Sequence, residues 1–481
     1  MLPEEYPMSI LRQSPEFAKT VAATSVATLV EVIPPEVVTQ AIERSHTRGK
    51  RRRKLPAELM AVAIVVLGLF AGGTLRYAVL KTLQGVRLRA DFALGEPAGK
   101  GGICNARYRY GPRLLRELFT MICQPLATPN TPGAFLFGLR LLALDGTSEL
   151  VADTPANAKA FGRWKGPRGP SAYPELKCIY LEECGTHAVV GALIRPCHAS
   201  EPGAGRVLLK QGGPDSLLLL DSAHCCYQTI AQAQAQGVPI LTRAKASLTL
   251  TPVQMLVDGT YLARMSPSNT KALRGKHGKL ALLLVRRVPS GCRYDASDPK
   301  NPDRRIVHRL VTTLLDPLLY PAMTLIATYH ERWEIENAID EVDTHLRAER
   351  PILTSKKPAG VVQEIYGILL AHYAVRKVMF EAAQQIVVDP DRVSFVGALR
   401  LIRDALPELD AAATEQARAR RSAVLLADVG KERGTLWVPP RRCRSYPRVV
   451  KRKMSKFKLK RPAAHGSQLK PTPFLDTVRI C

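Results

Sequence analysis

"FLFGLRLLALDGT", residues 135–147, is a nearly continuous apolar run that closes on Asp145. That is the pattern of a strand buried on both faces, as in a parallel sheet, with an acid at its carboxyl end. The same form recurs at 216–224, "SLLLLDSAH", which closes on Asp221. A carboxylate at the end of a buried strand is costly unless it is hydrated, paired or holding a metal. A third acid, Glu336, lies in "YHERWEIENAID", residues 329–340. On a continuous α-helix, the spacing of Tyr329, Arg332 and Glu336 puts all three on one face, with Glu334 pointing elsewhere. Two bland readings stand beside this one. Mixed charge on a helix is usually a solvated face, and buried acids also occur in structural ion pairs.

Between the two strands, "LKCIYLEEC", "GTH" and "AVVGALIR" read as a hairpin over 176–195. After Asp221, "CYQTIAQAQAQG" reads as a helix with a glycine stop, and "VPILTRAK" as a further strand. Residues 246–320 carry β signals and turns. Residues 324–348, 361–384, 393–405 and 410–427 read as helices. Upstream of 135, "EFAKTVAATSVATLVEVI", "PPEVVTQAIERS" and "PRLLRELFTMI" have helical periodicity. The stretch 59–75 is uncharged for 17 residues and contains three glycines. With no second candidate span, it reads as a buried helix and not a membrane crossing.

Charge points to the partner. The 481 residues carry a formal net charge of +27, which favours a polyanion: nucleic acid first, an anionic membrane surface second. One basic cluster, Arg51, Arg52 and Arg53, precedes the apolar helix. Another, 441–461, includes Lys451, Arg452 and Lys453 and holds eleven basic residues and no acid. A hydrophobic content of 46% argues for a folded chain. The ten cysteines form no CxxC pair and read as reduced, mostly buried thiols of a cytosolic protein. Cys225–Cys226 beside His224 is read the same way, for want of a second ligand pair. The acidic N-terminal stretch "MLPEEYPMSI" does not look like a signal peptide. Three carboxylates in this setting could hold two hard cations, an arrangement suited to phosphodiester cleavage.

The chain resembles the DDE transposases of the insertion-element-four family. The carrying motifs are "LALDGT" with Asp145, "LLLLDSAHCCY" with Asp221, and "LLDPLLYPAMTLIATYHERWEIENAIDEV" with Glu336. "ADTPANAKAFGR" (152–163) and "YPELKCIYLEECGTHAVVGA" (173–192) resemble that family's surroundings of the first acid. Tyr329, Arg332 and Glu336 match its Y-x2-R-x3-E-x6-K motif. Three departures stand out. Asp343 occupies the lysine position, Ser222–Ala223 replace the usual Arg-Gly, and "HASEPGAGRVLLKQGG" is rich in proline and glycine where a helix is expected. Asp343 would set an anion against a DNA phosphate unless it turns aside to pair with Arg347. No tryptophan stands between Asp221 and Arg332, so the resemblance leaves hairpin formation at DNA ends open.

The resemblance implies an α/β fold: a ribonuclease-H-like mixed sheet with flanking helices, a β-rich insertion and a helical N-terminal domain. It divides the chain into a helical DNA-binding domain (1–95), a connecting segment (96–134) and a first core part (135–245). A β-rich insertion (246–320), a second core part (321–385), a helical C-terminal region (386–440) and a basic tail (441–481) follow. Asp145, Asp221 and Glu336 would bind two Mg²⁺ ions, with Mn²⁺ as a substitute, and would cut and join phosphodiesters at element ends and in target DNA. Arg332 would brace a phosphate, with Tyr329 nearby and Arg243 and Lys245 as further DNA contacts. The partner would be double-stranded DNA, terminal inverted repeats and target alike, gripped by a homodimer at the bacterial nucleoid, in the cytoplasm and not at a membrane. Two other readings stand beside it: a decayed copy that still binds element ends, and a non-DNA metallohydrolase on a similar core. The basic tail argues against the second.

Overall fold

The computed structural model describes residues 33–47, 55–70, 72–90, 98–166, 169–245, 247–248, 250–267, 283–294, 305–347, 351–412, 414–431, 436–440, 442, 444–445 and 472–473. The expected helix over 16–33 (but for its last residue), Arg51 to Arg53 and Lys451 to Lys453 lie outside these residues.

In chain order the helices begin with α1 (Pro35–Arg44), α2 (Ala57–Leu69), α3 (Leu75–Ala90), α4 (Lys100–Tyr110) and α5 (Arg113–Ile122). Strand β1 (Leu139–Val151) leads to α6 (Pro155–Phe161), then to the hairpin β2 (Glu175–Glu183) and β3 (Ala188–Pro196). Next come α7 (Glu201–Leu208), β4 (Ser216–Leu220), α8 (Tyr227–Ala235) and β5 (Ile240–Arg243). Strands β6 (Thr251–Met255), β7 (Tyr261–Met265), β8 (Leu283–Tyr294) and β9 (Arg305–Thr312) follow. The chain continues through α9 (Ala322–Tyr329), α10 (Glu334–Asp340), β10 (Ile352–Leu353), α11 (Pro358–Gln385), α12 (Phe395–Ala411) and α13 (Glu415–Gly430).

These elements sort into two compact units. One comprises 1–132, 146–200 and 335–439; the other comprises 133–145, 201–334 and 440–481. Strand β1 supplies residues to both.

In the first unit the helices form because their ends and faces are marked. Pro35 opens α1 with Glu36 in its first turn and Arg44 in its last, matching the helix dipole. Helix α5 buries Leu114, Leu115, Leu118, Phe119 and Ile122, one apolar stripe at helical spacing. Ser394 and Thr414 cap α12 and α13 by accepting the Gly397 and Ala417 amides. Helix α2 is buried on nearly every side. It crosses α11 at two glycines: a Cβ on Gly68 would stand 2.5 Å from the Gly367 carbonyl oxygen, and one on Gly367 2.6 Å from that of Ile64. Backbone meets backbone there, and no side chain can yield. Gly68→Val is therefore expected to lower stability by ~1–3 kcal/mol, the range for overpacking a core, read as an earlier urea midpoint. Among the described residues no helix is long and apolar enough to cross a membrane.

The same unit holds the antiparallel hairpin β2–β3, paired from Leu176↔Pro196 to Glu183↔Ala188. Strand β10 adds in parallel to the far end of β1, Ile352 opposite Leu150.

The second unit contains the parallel core. β1 runs beside β4 in register from Arg140↔Ser216 to Leu144↔Leu220, and β4 runs beside β5 from Leu218↔Ile240 to Leu220↔Thr242. Helix α8 makes the crossover between β4 and β5, as parallel neighbours require. The β signals after 246 become four strands. They extend this sheet antiparallel from β5 through β9, β8, β7 and β6.

Three local expectations change. Strand β1 does not stop at Asp145 but runs on to Val151; only its parallel pairing with β4 stops, after Leu144. The Pro- and Gly-rich stretch after the hairpin does hold a helix, α7. Pro202 falls in its first turn, where a missing N–H is harmless. The expected single helix over 324–348 is broken: a 3₁₀ turn (His330–Trp333) separates α9 from α10, and a π-helical turn (Glu341–Leu346) follows. Ideal α spacing therefore does not hold from Tyr329 to Glu336 or from Glu336 to Asp343.

Candidate active site

The parallel register decides the geometry. Leu144 pairs with Leu220 as the last partners, so Asp145 and Asp221 are the next residues on adjacent strands. Neighbouring strands lie ~4.8 Å apart, and residues in register on parallel strands point to the same face. Both acids thus stand side by side where the parallel pairing opens, just beyond its last pair. Each is partly exposed, with 19% of the Asp145 side chain and 27% of the Asp221 side chain accessible. Asp221 opens a tight turn, its Oδ1 accepting the Ala223 amide at 2.9 Å and the His224 amide at 3.3 Å. Its own carbonyl accepts the Thr242 hydroxyl at 3.0 Å, which ties it to β5.

Tyr329 and Arg332 reach this point from α9 and the 3₁₀ turn. The Tyr329 hydroxyl donates to the Leu220 carbonyl at 3.0 Å, one residue before Asp221. Burial pushes its phenol up to about 12, so it stays a donor. Arg332 is buried, with Nη1 3.2 Å from Asp145 Oδ2 and its guanidinium 4.9 Å from the Trp333 ring centre. The resemblance sets both residues beside DNA; in the structure Tyr329 bonds the end of β4 and Arg332 pairs with Asp145. Arg243, at the end of β5, donates to the Ser222 hydroxyl at 3.3 Å, and Lys245 beyond it is exposed.

Two residues absent from the expected site join Asp221. They are Glu201, the first residue of α7, and His224, which is buried. The three ligand atoms lie within 4.8 Å of one another. Burial lowers the His224 imidazole to about 4, so the ring is neutral near pH 7. The available signal was the three-residue step from Asp221 to His224, which composition alone assigned with the cysteines. Cys225 is a buried thiol pushed up to about 11 by that burial, as befits the inert reading.

Glu336 belongs to the first unit, on α10, where Ile335 and Ala338 are buried and Glu336 is exposed. The structure therefore brings Asp145, Asp221, Tyr329, Arg332 and Arg243 together within one unit, while Glu336 is carried by the other.

Asp343 has turned aside. It lies 3.7 Å from Arg347 and accepts the Thr147 hydroxyl at 3.1 Å. The pairing with Arg347 is the one the sequence offered as its exception. Arg347 also pairs with the buried Glu149. Two carboxylates thus share one guanidinium, and burial, then Asp343, push Glu149 up to about 8 against the pull of Arg347. The folded value lies above the ordinary 4.5. The stability this contributes is complete below pH 4.5 and is lost as pH rises through 8. Asp343→Asn removes the second cause, so urea midpoints at pH 5 and pH 8 are expected to differ less in the variant than in the wild type.

The family model "Insertion element 4 transposase N-terminal" matches residues 23–120, and "Transposase DDE domain" matches 136–374. The transposase InsG for insertion sequence element IS4 of Escherichia coli K12 is 27% identical over 438 residues, covering 89% of this chain and 92% of that one. The putative transposase InsZ of the same organism is 23% identical over 193 residues, 40% of this chain and 62% of that one. Among solved structures, a piggyBac transposase synaptic complex with hairpin DNA aligns over 89% of this chain and 88% of that one, at 9% identity and a TM-score of 0.35.

Proposed function

Because the chain belongs to the insertion-element-four family of DDE transposases, we propose that it cuts DNA at the ends of its insertion element and joins the freed 3′ ends to target DNA, using Asp145, Asp221 and Glu336. The observation that carries the reading is the Leu144↔Leu220 register, which leaves Asp145 and Asp221 adjacent just beyond the last pair of the parallel ladder.

The donor set fits hard divalent cations, since partly exposed carboxylates are oxygen ligands of the kind Mg²⁺ and Mn²⁺ take. Bound between Asp145, Asp221 and Glu336, such ions would activate the attacking oxygen and stabilise the leaving one. The remaining work falls to the chain. Tyr329 fixes the end of β4 through the Leu220 carbonyl, and so the position of Asp221. Arg332 sets a cation beside Asp145, where a phosphate approaching the acids would meet it in bidentate fashion. Exposed Lys245 and the basic tail would neutralise backbone phosphates without reading bases. Two such chains would hold two element ends together, each bearing inverted repeats.

The decayed reading draws on three departures together: Asp343, Ser222–Ala223 and the Pro- and Gly-rich stretch that in fact holds α7. Asp343 weighs most in it. Its partners, Thr147 and Arg347, give that acid a structural role, and nothing else favours loss of catalysis.

The test is a duplex carrying the element's terminal repeat, incubated with purified chain and Mg²⁺. Wild type is expected to nick it and to stop when the metal is chelated. Glu336→Gln is expected to bind the duplex as before and to leave it intact. Nicking by Glu336→Gln at the wild-type rate would remove Glu336 from the site.

A further inference from the structure

His224 is 1% exposed, and its Nε2 has no hydrogen-bond partner. A buried histidine of merely structural use would satisfy that nitrogen. Here it points between two carboxylates, 3.7 Å from Glu201 Oε1 and 4.0 Å from Asp221 Oδ1. Both separations are too long for hydrogen bonds. They suit ligands of a common ion: two atoms each ~2.1 Å from one cation stand at most ~4.2 Å apart. The ring is also seated by design of the backbone. A Cβ on Gly205 would lie 2.5 Å from His224 Cε1 and 2.8 Å from Nδ1. Gly205 is one turn beyond Glu201 on α7, so the helix that delivers the carboxylate also leaves room for the imidazole.

We propose that Glu201, Asp221 and His224 form a mixed oxygen–nitrogen site for a divalent transition cation, so that the cation at Asp221 has an imidazole ligand. This deepens the reading of Asp221 as a metal-binding acid and rests on it. An imidazole ligand suits Mn²⁺, Fe²⁺ or Zn²⁺ better than Mg²⁺, which prefers an all-oxygen shell. Occupancy would satisfy the orphaned nitrogen and draw the two carboxylates inward by a few tenths of an ångström.

The experiment is pulsed electron paramagnetic resonance on the full chain with Mn²⁺ as the probe. Modulation from a directly bound ¹⁴N is expected in the wild type. It should vanish in His224→Gln, with Mn²⁺ affinity weakened at least ~10-fold. Glu201→Gln, a substitution on a half-exposed helix start, guards against a failure of His224→Gln to fold. It should weaken Mn²⁺ binding while its circular dichroism matches the wild type. Bound Mn²⁺ without ¹⁴N modulation, or a signal that survives in a folded His224→Gln, overturns the proposal. If the wild type then still nicks element ends in Mn²⁺ and Asp145→Asn does not, the transposase site stands and only its imidazole ligand is removed. Absence of both Mn²⁺ binding and nicking would instead overturn the two together.

Discussion

Asp145→Asn is expected to reduce nicking of element-end DNA by about 10³-fold or more while leaving end binding intact. The amide keeps the shape of the carboxylate and loses its charge. Its partner Arg332, 3.2 Å away and buried, then faces a neutral oxygen. A cation held by Asp145 and Asp221 would lose one of two adjacent anionic ligands, and metal ions contribute several kcal/mol of transition-state charge stabilisation. At 1.36 kcal/mol per tenfold, that is on the order of 10³ in rate. Binding of DNA should move the other way, if at all, because a negative charge has left the neighbourhood of an incoming phosphate. The gain should be larger at low salt, since screening shortens with added ions. The measurement pairs a cleavage assay with binding at two salt concentrations. A variant that nicks within tenfold of the wild type would show that Asp145 and Asp221 are not the reacting site. The thermal midpoint should fall as well, because the buried Arg332 loses its paired charge, and retained end binding reports that the variant is folded.

Asp145 and Asp221 were legible because a buried strand announces itself. Five consecutive buried residues, Ser216–Leu220, leave no alternation to misread. The acid that follows such a run stands out. The third segment was legible in chemistry but not in shape. Tyr329, Arg332 and Glu336 follow an α-helical spacing, yet the chain there passes from α9 through a 3₁₀ turn into α10 and then a π-helical turn. No glycine or proline marks those changes between Tyr329 and Leu346. They come with tertiary partners: Arg332 on Asp145 in one unit, Asp343 on Thr147 and Arg347 in the other. Helix α7 was hidden for a related reason. Pro202, Gly203 and Gly205 are poor helix formers, and propensity weighs against them. Close approach of His224 to Gly205 accounts for that glycine, and a single sequence cannot reveal a neighbour in space.

Substituting Glu341 by Gln is expected to lower the stability of the first unit by ~3–5 kcal/mol at pH 7.5, the range for breaking a buried ion pair from one side. Glu341 opens the π-helical turn and is 4% exposed. Its Oε2 accepts from Arg376 Nε at 2.8 Å and lies 3.0 Å from His372 Nε2, while Oε1 pairs with Arg376 Nη2. His187 stands 3.6 Å from the same carboxylate and, through its other nitrogen, 3.4 Å from Asp391. One carboxylate therefore joins the β2–β3 turn, the π-helical turn and α11. Burial alone would raise it, but Arg376 and the two histidines hold it well below the ordinary 4.5. Burial lowers His372 from 6.5, outweighing the attraction of Glu341. Both shifts have the same consequence. A depressed carboxylate gives stability that is complete above its unfolded value and is lost as pH falls through the folded one. A histidine lowered by burial stays neutral while the unfolded chain takes up a proton, so stability also falls with pH below 6.5. The wild type should thus lose stability steadily on acidification from pH 6.5. Glu341→Gln starts lower and loses less, because its amide has no charge to surrender. The two urea midpoints should draw together as pH falls below 4.5. Since a whole domain is stable by only ~5–15 kcal/mol, the variant sits near the edge of folding at neutral pH. Midpoints that stay parallel from pH 7.5 down to about pH 3 would mean that Glu341 is protonated in the native state and that Arg376 finds its compensation elsewhere.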